Sequence, residues 1–208
     1  MKTIDYQQGS AEWLASRAGR VTASCITDVM AKIKTGEAAA RADYRAQIVA
    51  EILTGKPQGS DFTNAAMQWG NEQEPFARGA YEVAAGVMVD QCGLVLHPTI
   101  DRAAASPVGI VGDGLVEIKC PKTATHLQYL LAGEVPAKYK PQMLWQMACT
   151  ELSWCDFVSF DPRLPDNLQL FIVRFERDSG KIGEMEYEVR QFLAEVEEMI
   201  ARLCKVFS

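Results

Sequence analysis

Residues 111–121 read Val111-Gly112-Asp113-Gly114-Leu115-Val116-Glu117-Ile118-Lys119-Cys120-Pro121, an apolar run that follows a glycine-rich turn and ends on an acid and a base two positions apart. Alternate residues of a strand share a face, so Glu117 and Lys119 should project to one side and Ile118 into the core. A carboxylate can hold a hard divalent cation, and a neighbouring lysine can orient a water molecule or neutralise a phosphate. The tripeptide therefore indicates either metal-dependent phosphodiester hydrolysis or an ion pair on an exposed strand face.

The residues on either side of the turn predict a β-hairpin. Residues 106–111 and 115–119 are two apolar runs joined by a Gly-Asp-Gly turn. A hairpin that presents an acid from its first strand and E-x-K from its second is the core of the restriction-endonuclease-like, PD-(D/E)xK nucleases. We therefore predict an α/β fold with this core, in which a mixed central β-sheet is flanked by helices. In that pattern the first acid follows Pro107, but position 108 is valine.

Composition and charge limit the class of protein. The 208 residues, 48% hydrophobic and 23% charged, are typical of one globular domain, which we expect to span 1–208. The sequence lacks a run of 18 or more apolar residues and a signal-peptide core, so we expect no membrane span and a cytoplasmic location. Six cysteines without a C-x-x-C pair and only two histidines argue against a zinc site, and the thiols are expected to be reduced and mostly buried.

The net charge of −6 argues against a protein that is coated uniformly in nucleic acid. It does not exclude a nuclease, because the local field at the site decides binding. Basic residues cluster early in the chain, either as a nucleic-acid lining or as a solvated helical face: Arg17, Arg20, Lys32, Lys34, Arg41 and Arg45.

The other elements are predicted from periodicity and from cap and turn residues, in the order α, then β, then α. Helices are expected over residues 10–17, 22–32, 38–53, 63–85, 139–150 and 181–207, with a linker at 58–62. Strands are expected over residues 87–96, 103–120 (the hairpin), 156–161 and 168–176. Ser10 is the expected N-cap of the first helix, and Pro141 suits the first turn of the helix at 139–150.

Two helices carry further candidate site residues. Glu74 and Arg78 are four positions apart on the helix at 63–85. Either they form an i,i+4 ion pair, or Glu74 serves as a metal-binding carboxylate. Gln142 and Gln146 share one face of the helix at 139–150. They either contact a nucleophile or a phosphate, or form a surface amide pair.

Four blocks of the chain, in order, resemble the phage lambda exonuclease family and its viral-recombinase relatives: residues 13–24, 69–78, 106–121 and 139–163. The resemblance covers nearly the whole length. It implies a 5′→3′ exonuclease that acts on double-stranded DNA ends and leaves 3′ single-stranded tails. It also implies two Mg²⁺ ions per active site, with Mn²⁺ as a substitute, a homotrimeric ring around the duplex, a single-strand annealing protein as partner, and a phage or prophage origin in a bacterial host.

The resemblance assigns a role to each residue of the expected catalytic centre. Glu117 and the Ile118 carbonyl would ligate Mg²⁺, and Lys119 would position the attacking water. Glu74 matches the helix carboxylate that helps to hold the second metal or the nucleophilic water. Gln142 matches a glutamine beside the active site.

The resemblance also implies contacts with the DNA. Arg17, Ser24 and Ser106 match the pocket that binds the 5′-phosphate of the degraded strand, which suits a guanidinium and hydroxyls as directional donors. Met67 falls where the family places an apolar wedge that separates the terminal base pair.

Val108 is the departure from the family pattern, since it occupies the metal-ligand position where family members carry a bridging aspartate. Valine has no oxygen and cannot ligate Mg²⁺. Its presence reflects an introduced substitution, a naturally inactive protein, or replacement of the lost ligand by Asp113, which lies out of strand alternation with Glu117. Loss of one carboxylate should lower the rate roughly a thousandfold or more. Two other functions stay open: a non-catalytic DNA-end-binding protein and a sequence-reading endonuclease of the same fold.

Overall fold

The computed structural model describes residues 1–58 and 65–206, so most of the linker expected at 58–62, the helix start at Thr63 and the helix end at Phe207 lie outside the described residues. The helices are α1 (Ala11–Arg17), α2 (Ile26–Val29), α3 (Ala39–Thr54), α4 (Ala65–Ala85), α5 (Thr123–Ala132), α6 (Lys140–Thr150) and α7 (Ser179–Val206). The strands are β1 (Lys2–Ile4), β2 (Val21–Thr22), β3 (Leu94–Leu96), β4 (Ala103–Ala105), β5 (Gly109–Val111), β6 (Gly114–Lys119), β7 (Trp154–Phe160) and β8 (Leu170–Glu176).

Within the described residues the strands form two four-stranded sheets, with the orders β1-β3-β4-β2 and β5-β6-β7-β8. Both sheets are mixed: β6 runs parallel to β7 but antiparallel to β5, and β2 runs parallel to β4 while β3 is antiparallel to it. The predicted mixed α/β architecture is therefore confirmed, with its strands divided between two sheets.

The predicted hairpin is formed by β5 and β6. Its last pair joins Val111 to Gly114, which leaves a turn of two residues. Gly112 occupies the first of them with φ +58°, a conformation that a two-residue hairpin turn requires and that glycine adopts without strain. A Cβ on Gly114 would lie 2.1 Å from the Trp154 ring, so the indole packs directly on the β6 backbone.

The two faces of β6 contact different apolar clusters. Leu115 belongs to the larger core, which includes Trp145 of α6 and Phe192 of α7. Val116 and Ile118 belong to a second cluster, in which α4 packs on the other face of the sheet. The alternation of β6 therefore turns Glu117 and Lys119 toward the α6 side.

Several local predictions are wrong. The strand expected at 87–96 is reduced to β3, because before it only Asp90 pairs with another strand, in an isolated bridge to Ile110. The helix expected to reach Lys32 ends at Val29, and its first residues form a short 3-10 turn at Ala23–Cys25. The sequence did not predict α5, whose buried His126 is fixed by contacts distant in sequence, with Ser159 and the Leu168 carbonyl.

Of the cysteines, Cys149 and Cys155 are fully buried, Cys25, Cys92 and Cys120 are half-buried and Cys204 is exposed, so the expectation of mostly buried thiols is wrong. Of the helices in residues 1–58 and 65–206, none combines the length and the apolar character that crossing a membrane requires. Ser10 caps α1 as predicted, because its hydroxyl accepts a hydrogen bond from the Trp13 backbone N–H.

Candidate active site

The acid and the base at the end of β6 form a close pair. Lys119 Nζ lies 2.5 Å from Glu117 Oε1, and Glu117 is only 2% exposed. Ile118 faces the opposite way into the second apolar cluster, as strand alternation requires. An ion pair on an exposed strand face is therefore excluded, because the carboxylate is buried.

Helix α6 places two amides on the same carboxylate. Gln142 Nε2 donates to Glu117 Oε1 at 2.7 Å, and Gln146 Nε2 donates to Oε2 at 2.8 Å. The helix begins with Lys140 and carries Pro141 in its first turn, where a missing N–H costs no intrahelical bond. Interpreting the amides as a surface pair is wrong, since Gln146 is completely buried.

Lys119 is held as a cation by this arrangement. Burial alone lowers its pKa, but the charge and hydrogen bond of Glu117, with smaller contributions from Tyr139 and Glu74, bring the pKa above its ordinary value. Its ammonium also lies 5.1 Å from the centre of the Tyr139 ring. Lys119 can therefore donate to a water molecule or a phosphate, and it is unsuited to accept a proton near neutral pH.

A cavity of about 390 Å³ opens beside Lys119, and its walls come from α4, the end of β6 and Tyr139: Ala66, Met67, Gly70, Asn71, Glu74, Ile118, Lys119, Cys120, Pro121 and Tyr139. Glu74 thus faces the same space as Ile118 and Lys119. Burial raises the pKa of Glu74, and the charge of Glu117 adds to this rise while Arg78 opposes it. The i,i+4 ion pair with Arg78 is not among the contacts of the described residues, and Arg78 Nη1 is buried without a hydrogen-bond partner.

Arg17 and two hydroxyls form a second group near the hairpin. Arg17 Nη2 donates to Ser24 Oγ at 3.1 Å and to Thr22 Oγ1 at 3.4 Å. Its guanidinium lies 4.2 Å from the centre of the Trp13 ring, and Trp13 Nε1 donates to Ser106 Oγ at 3.0 Å. The structure therefore connects all three of the predicted phosphate-binding residues.

Sequence reasoning missed Trp13 and Thr22 as members of this group. Trp13 had a signal, because it lies four residues before Arg17 in α1, the spacing that brings side chains together on a helix. Thr22 had none, since only the fold of β2 brings its hydroxyl to the guanidinium.

The other early basic residues are mostly engaged in ion pairs. Arg41 and Arg45 contact Glu37 and Glu195 between α3 and α7. Lys32 pairs with Glu188 at 2.6 Å. These residues therefore stabilise helix packing, whereas Arg17 and Arg20 line a common cleft.

Val108 packs against the second apolar cluster, two residues after Ser106. Asp113 does not take over the missing ligand position: it accepts hydrogen bonds from Trp154 Nε1 at 2.9 Å and Ser153 Oγ at 3.2 Å. It lies four residues from Glu117, about 13 Å along an extended strand. The lost carboxylate is therefore not replaced from the turn.

The donor set suits magnesium, with one carboxylate fewer than the PD-(D/E)xK pattern. The Glu117 and Glu74 carboxylates and the Ile118 carbonyl are the hard oxygen donors that Mg²⁺ takes, and this ion commonly binds through only one or two carboxylates. In the part of the chain that the structure describes, no group of three or more His, Cys, Asp or Glu side chains has a metal-binding arrangement. The residues fit a magnesium site that Val108 leaves incomplete.

Solved structures of exonucleases are similar to this chain. The alkaline exonuclease LHK-Exo from Laribacter hongkongensis is 49% identical, with a TM-score of 0.87 over 94% of this chain and 97% of that one. The structure of LHK-Exo in complex with dAMP gives the same values. A phage-related exonuclease from Haemophilus somnus 129PT is 15% identical, with a TM-score of 0.66 over 91% of this chain and 96% of that one, and shows the fold alone.

The fold is of the restriction-endonuclease-like class, and the similarity to LHK-Exo supports a nuclease of this class. Residues 12–153 match the model of the YqaJ-like viral recombinase domain, and the chain belongs to this family. The predicted resemblance and fold class are therefore confirmed, and membership supports a nuclease role in recombination. None of the curated proteins matches the sequence.

Proposed function

We propose that this protein is a Mg²⁺-dependent 5′→3′ exonuclease that degrades the 5′-ended strand of linear double-stranded DNA and leaves 3′ single-stranded tails for strand annealing. The observation that carries the proposal is the Glu117–Lys119 pair at the end of β6, held by Gln142 beside the cavity that Glu74 lines. Family membership and the identity with LHK-Exo support the same class of activity.

In this proposal each residue acts on a stated part of the reaction. Glu117, Glu74 and the Ile118 carbonyl hold magnesium, and Mn²⁺ can take its place. When bound, two such ions supply Lewis-acid stabilisation of the attacking and leaving oxygens, without a covalent intermediate. Lys119, kept as a cation by Glu117, orients the attacking water, and Gln142 fixes the Glu117 oxygen nearest to it.

The DNA contacts are proposed on the same basis. Arg17, Ser24 and Ser106 bind the 5′-phosphate, since a half-buried guanidinium and hydroxyls provide charge-assisted directional donors. Met67, which lines the cavity near Glu74, separates the terminal base pair. A homotrimeric ring would retain the duplex without a strongly basic surface, and a single-strand annealing protein is the proposed partner.

Val108 is proposed to slow hydrolysis strongly. A missing metal carboxylate weakens the site where charge develops in the transition state, which corresponds to a rate roughly a thousandfold lower or more. A second candidate, a non-catalytic DNA-end-binding protein, is favoured by the same observation, because the phosphate-binding group is intact while the metal site is incomplete.

One digestion experiment tests both candidates. A linear duplex, 5′-phosphorylated and labelled at one end, is incubated in Mg²⁺ with the protein and with its Val108→Asp and Val108→Asn variants. We expect Val108→Asp to produce a 5′→3′ ladder about a thousandfold faster than the parent, while Val108→Asn matches the aspartate in size but stays slow. A duplex with 5′-hydroxyl ends and a closed circle are the substrate controls, and cutting of the circle would indicate the endonuclease.

The outcomes separate the candidates. Binding of ends by the parent together with cutting by Val108→Asp assigns position 108 as the missing metal ligand. Equal cutting by parent and variant would exclude the end-binding function and the role of position 108. If neither form cuts, the assignment of the active site is wrong.

A further inference from the structure

Gln146 is a buried polar residue to which the proposed chemistry gives no role. It lies on α6 with its side chain completely buried, and its Nε2 donates to Glu117 Oε2 at 2.8 Å. Its own Oε1 is buried and makes no hydrogen bond within the described residues. The single polar contact of this side chain is therefore with the carboxylate of the site.

The orientation of this amide follows from the chemistry of its partner. An ionised carboxylate only accepts hydrogen bonds, so the NH₂ group of Gln146 has to face Glu117 and its oxygen has to point away. An unpaired buried acceptor destabilises a fold. Methionine would fill similar space without that disadvantage, so packing alone does not account for glutamine here.

The two glutamines of α6 differ in what they can reach. Gln142 is half-buried and shares Glu117 Oε1 with Lys119, which lines the cavity. Gln146, one helical turn further on, is sealed from solvent and holds Oε2 alone. Any effect of Gln146 on the reaction must therefore pass through Glu117.

We propose that Gln146 is a positioning residue that fixes the plane of the Glu117 carboxylate by holding Oε2 from inside the core. Each carboxylate oxygen accepts at about two positions, so the amide leaves Oε2 able to ligate a cation. Partners of metal-ligating carboxylates typically change metal affinity or activity about 10- to 100-fold when they are replaced. The inference rests on the proposed metal-dependent function.

The test is Mn²⁺ binding by isothermal titration calorimetry, made on the protein and on its Val108→Asp form, each with and without Gln146→Met. We expect Gln146→Met to weaken Mn²⁺ binding about 10- to 100-fold in the same background. Met147→Leu is the matched control, since Met147 is the next residue of α6, equally buried and part of the core. It should leave the affinity unchanged.

A kinetic measurement on the Val108→Asp background separates positioning from folding. Gln146→Met should lower kcat about 10- to 100-fold and leave KM for the 5′-phosphorylated duplex unchanged, because the residue does not touch DNA. Met147→Leu should move neither constant.

The outcomes are distinct from those of the proposed function. Unchanged Mn²⁺ affinity and kcat in Gln146→Met would overturn the positioning role and leave the nuclease proposal intact. Absence of Mn²⁺ binding in both the parent and Val108→Asp would overturn the proposed function, and this inference with it. Should Gln146→Met fail to fold, Gln146→Leu replaces it; failure of both while Met147→Leu folds would assign Gln146 to the core and reject the proposal.

Discussion

Two neighbouring strands of one sheet each carry a buried acid, and the partners of these acids differ. On β6, Glu117 is 2% exposed and is held by the amides of Gln142 and Gln146 and by Lys119. On β7, Asp156 is 5% exposed and receives two hydrogen bonds from Arg174, at 2.9 and 3.1 Å, and one from the Tyr81 hydroxyl at 2.9 Å.

The comparison shows that burial of an acid does not by itself mark a functional site. The planar guanidinium of Arg174 covers both Asp156 oxygens and stacks on Trp154, a geometry that fixes a carboxylate permanently. The partners of Glu117 are two neutral amides and the ammonium of Lys119, and Lys119 and a second acid, Glu74, line the adjoining cavity. Asp156 therefore belongs to a structural ion pair, and Glu117 is the acid that we propose as a metal ligand.

The largest expected effect comes from neutralising each acid in turn on the Val108→Asp background. Glu117→Gln should reduce DNA cleavage about a thousandfold or more, because a metal ligand is lost. Asp156→Asn should change cleavage less than about tenfold, since its interactions serve the fold alone. Initial rates on a 5′-phosphorylated duplex measure both.

Stability should fall in both variants. Asp156→Asn should lower the free energy of unfolding by about 1–3 kcal/mol, because a hydrogen-bonded charge pair is broken, and Arg174, about half exposed, recovers part of its hydration. Glu117→Gln should also lower it, since the buried Lys119 ammonium loses its charged partner and the two amide donors face a group with a single acceptor oxygen. Urea denaturation measures both values, and a cleavage loss in Asp156→Asn as deep as that in Glu117→Gln would remove the distinction between the two acids.

Sequence alone predicted the Glu117 side of this comparison far better than the Asp156 side. The hairpin, Glu117 and Lys119 lie within one short stretch, where turn chemistry and strand alternation are local rules. Asp156 and Arg174 are 18 residues apart on different strands, and only the register of β7 and β8 pairs them. Gln146 was recognised as sharing a helical face with Gln142, but burial of that face depends on packing against β6, which periodicity does not specify.

Contacts between residues that are distant in sequence also explain which elements could not be predicted. Helix α5 is fixed by His126, whose partners lie 33 and 42 residues further along the chain. The contact between Trp13 and Ser106 spans 93 residues. Such tertiary contacts override local propensity, so a single sequence gives no signal for them.

Glu74→Gln should sharpen the comparison by giving a variant that is more stable and less active. Burial raises the pKa of Glu74, so its ionised form is disfavoured in the folded state, and stability gained from this group increases as the pH falls through the raised value. Removing the charge should therefore raise Tm at pH 7.5, by about 2–4 °C for each kcal/mol of unfolding free energy gained. Cleavage by the Val108→Asp form should fall. Differential scanning calorimetry at pH 5 and pH 7.5 checks this, and the gain should shrink at pH 5.

A second glutamate on the same helix provides a matched control for Glu74→Gln. Glu72 is exposed on α4, so Glu72→Gln should change neither Tm nor cleavage appreciably. A lower Tm for Glu74→Gln than for Glu72→Gln at pH 7.5 would show that Glu74 is stabilised as an ion, contrary to its raised pKa.

The smallest effect is expected where acids and bases meet near the surface. Glu195 of α7 accepts hydrogen bonds from Arg41 and Arg45 of α3, and those of Arg41 contribute most to lowering its pKa. A carboxyl with a lowered folded-state pKa stabilises the protein above the unfolded value, near 4.3, and this contribution is lost as the pH falls through the folded value. Because the Glu195 side chain is 39% exposed, solvent screening limits the contribution to about 1 kcal/mol or less.

Glu195→Gln should therefore lower the free energy of unfolding by about 1 kcal/mol at pH 7 and low salt, and by much less at pH 3 or in 1 M salt. Urea denaturation under the three conditions gives the values, and Glu188→Gln, which removes the exposed pair with Lys32, is the control expected to change less. A loss for Glu195→Gln that equals the loss for Asp156→Asn and persists in 1 M salt would mean that the α3–α7 ions behave as a buried pair. In that case the type of hydrogen-bonding partner, rather than depth below the surface, would determine how much each acid of this protein contributes to the free energy of unfolding.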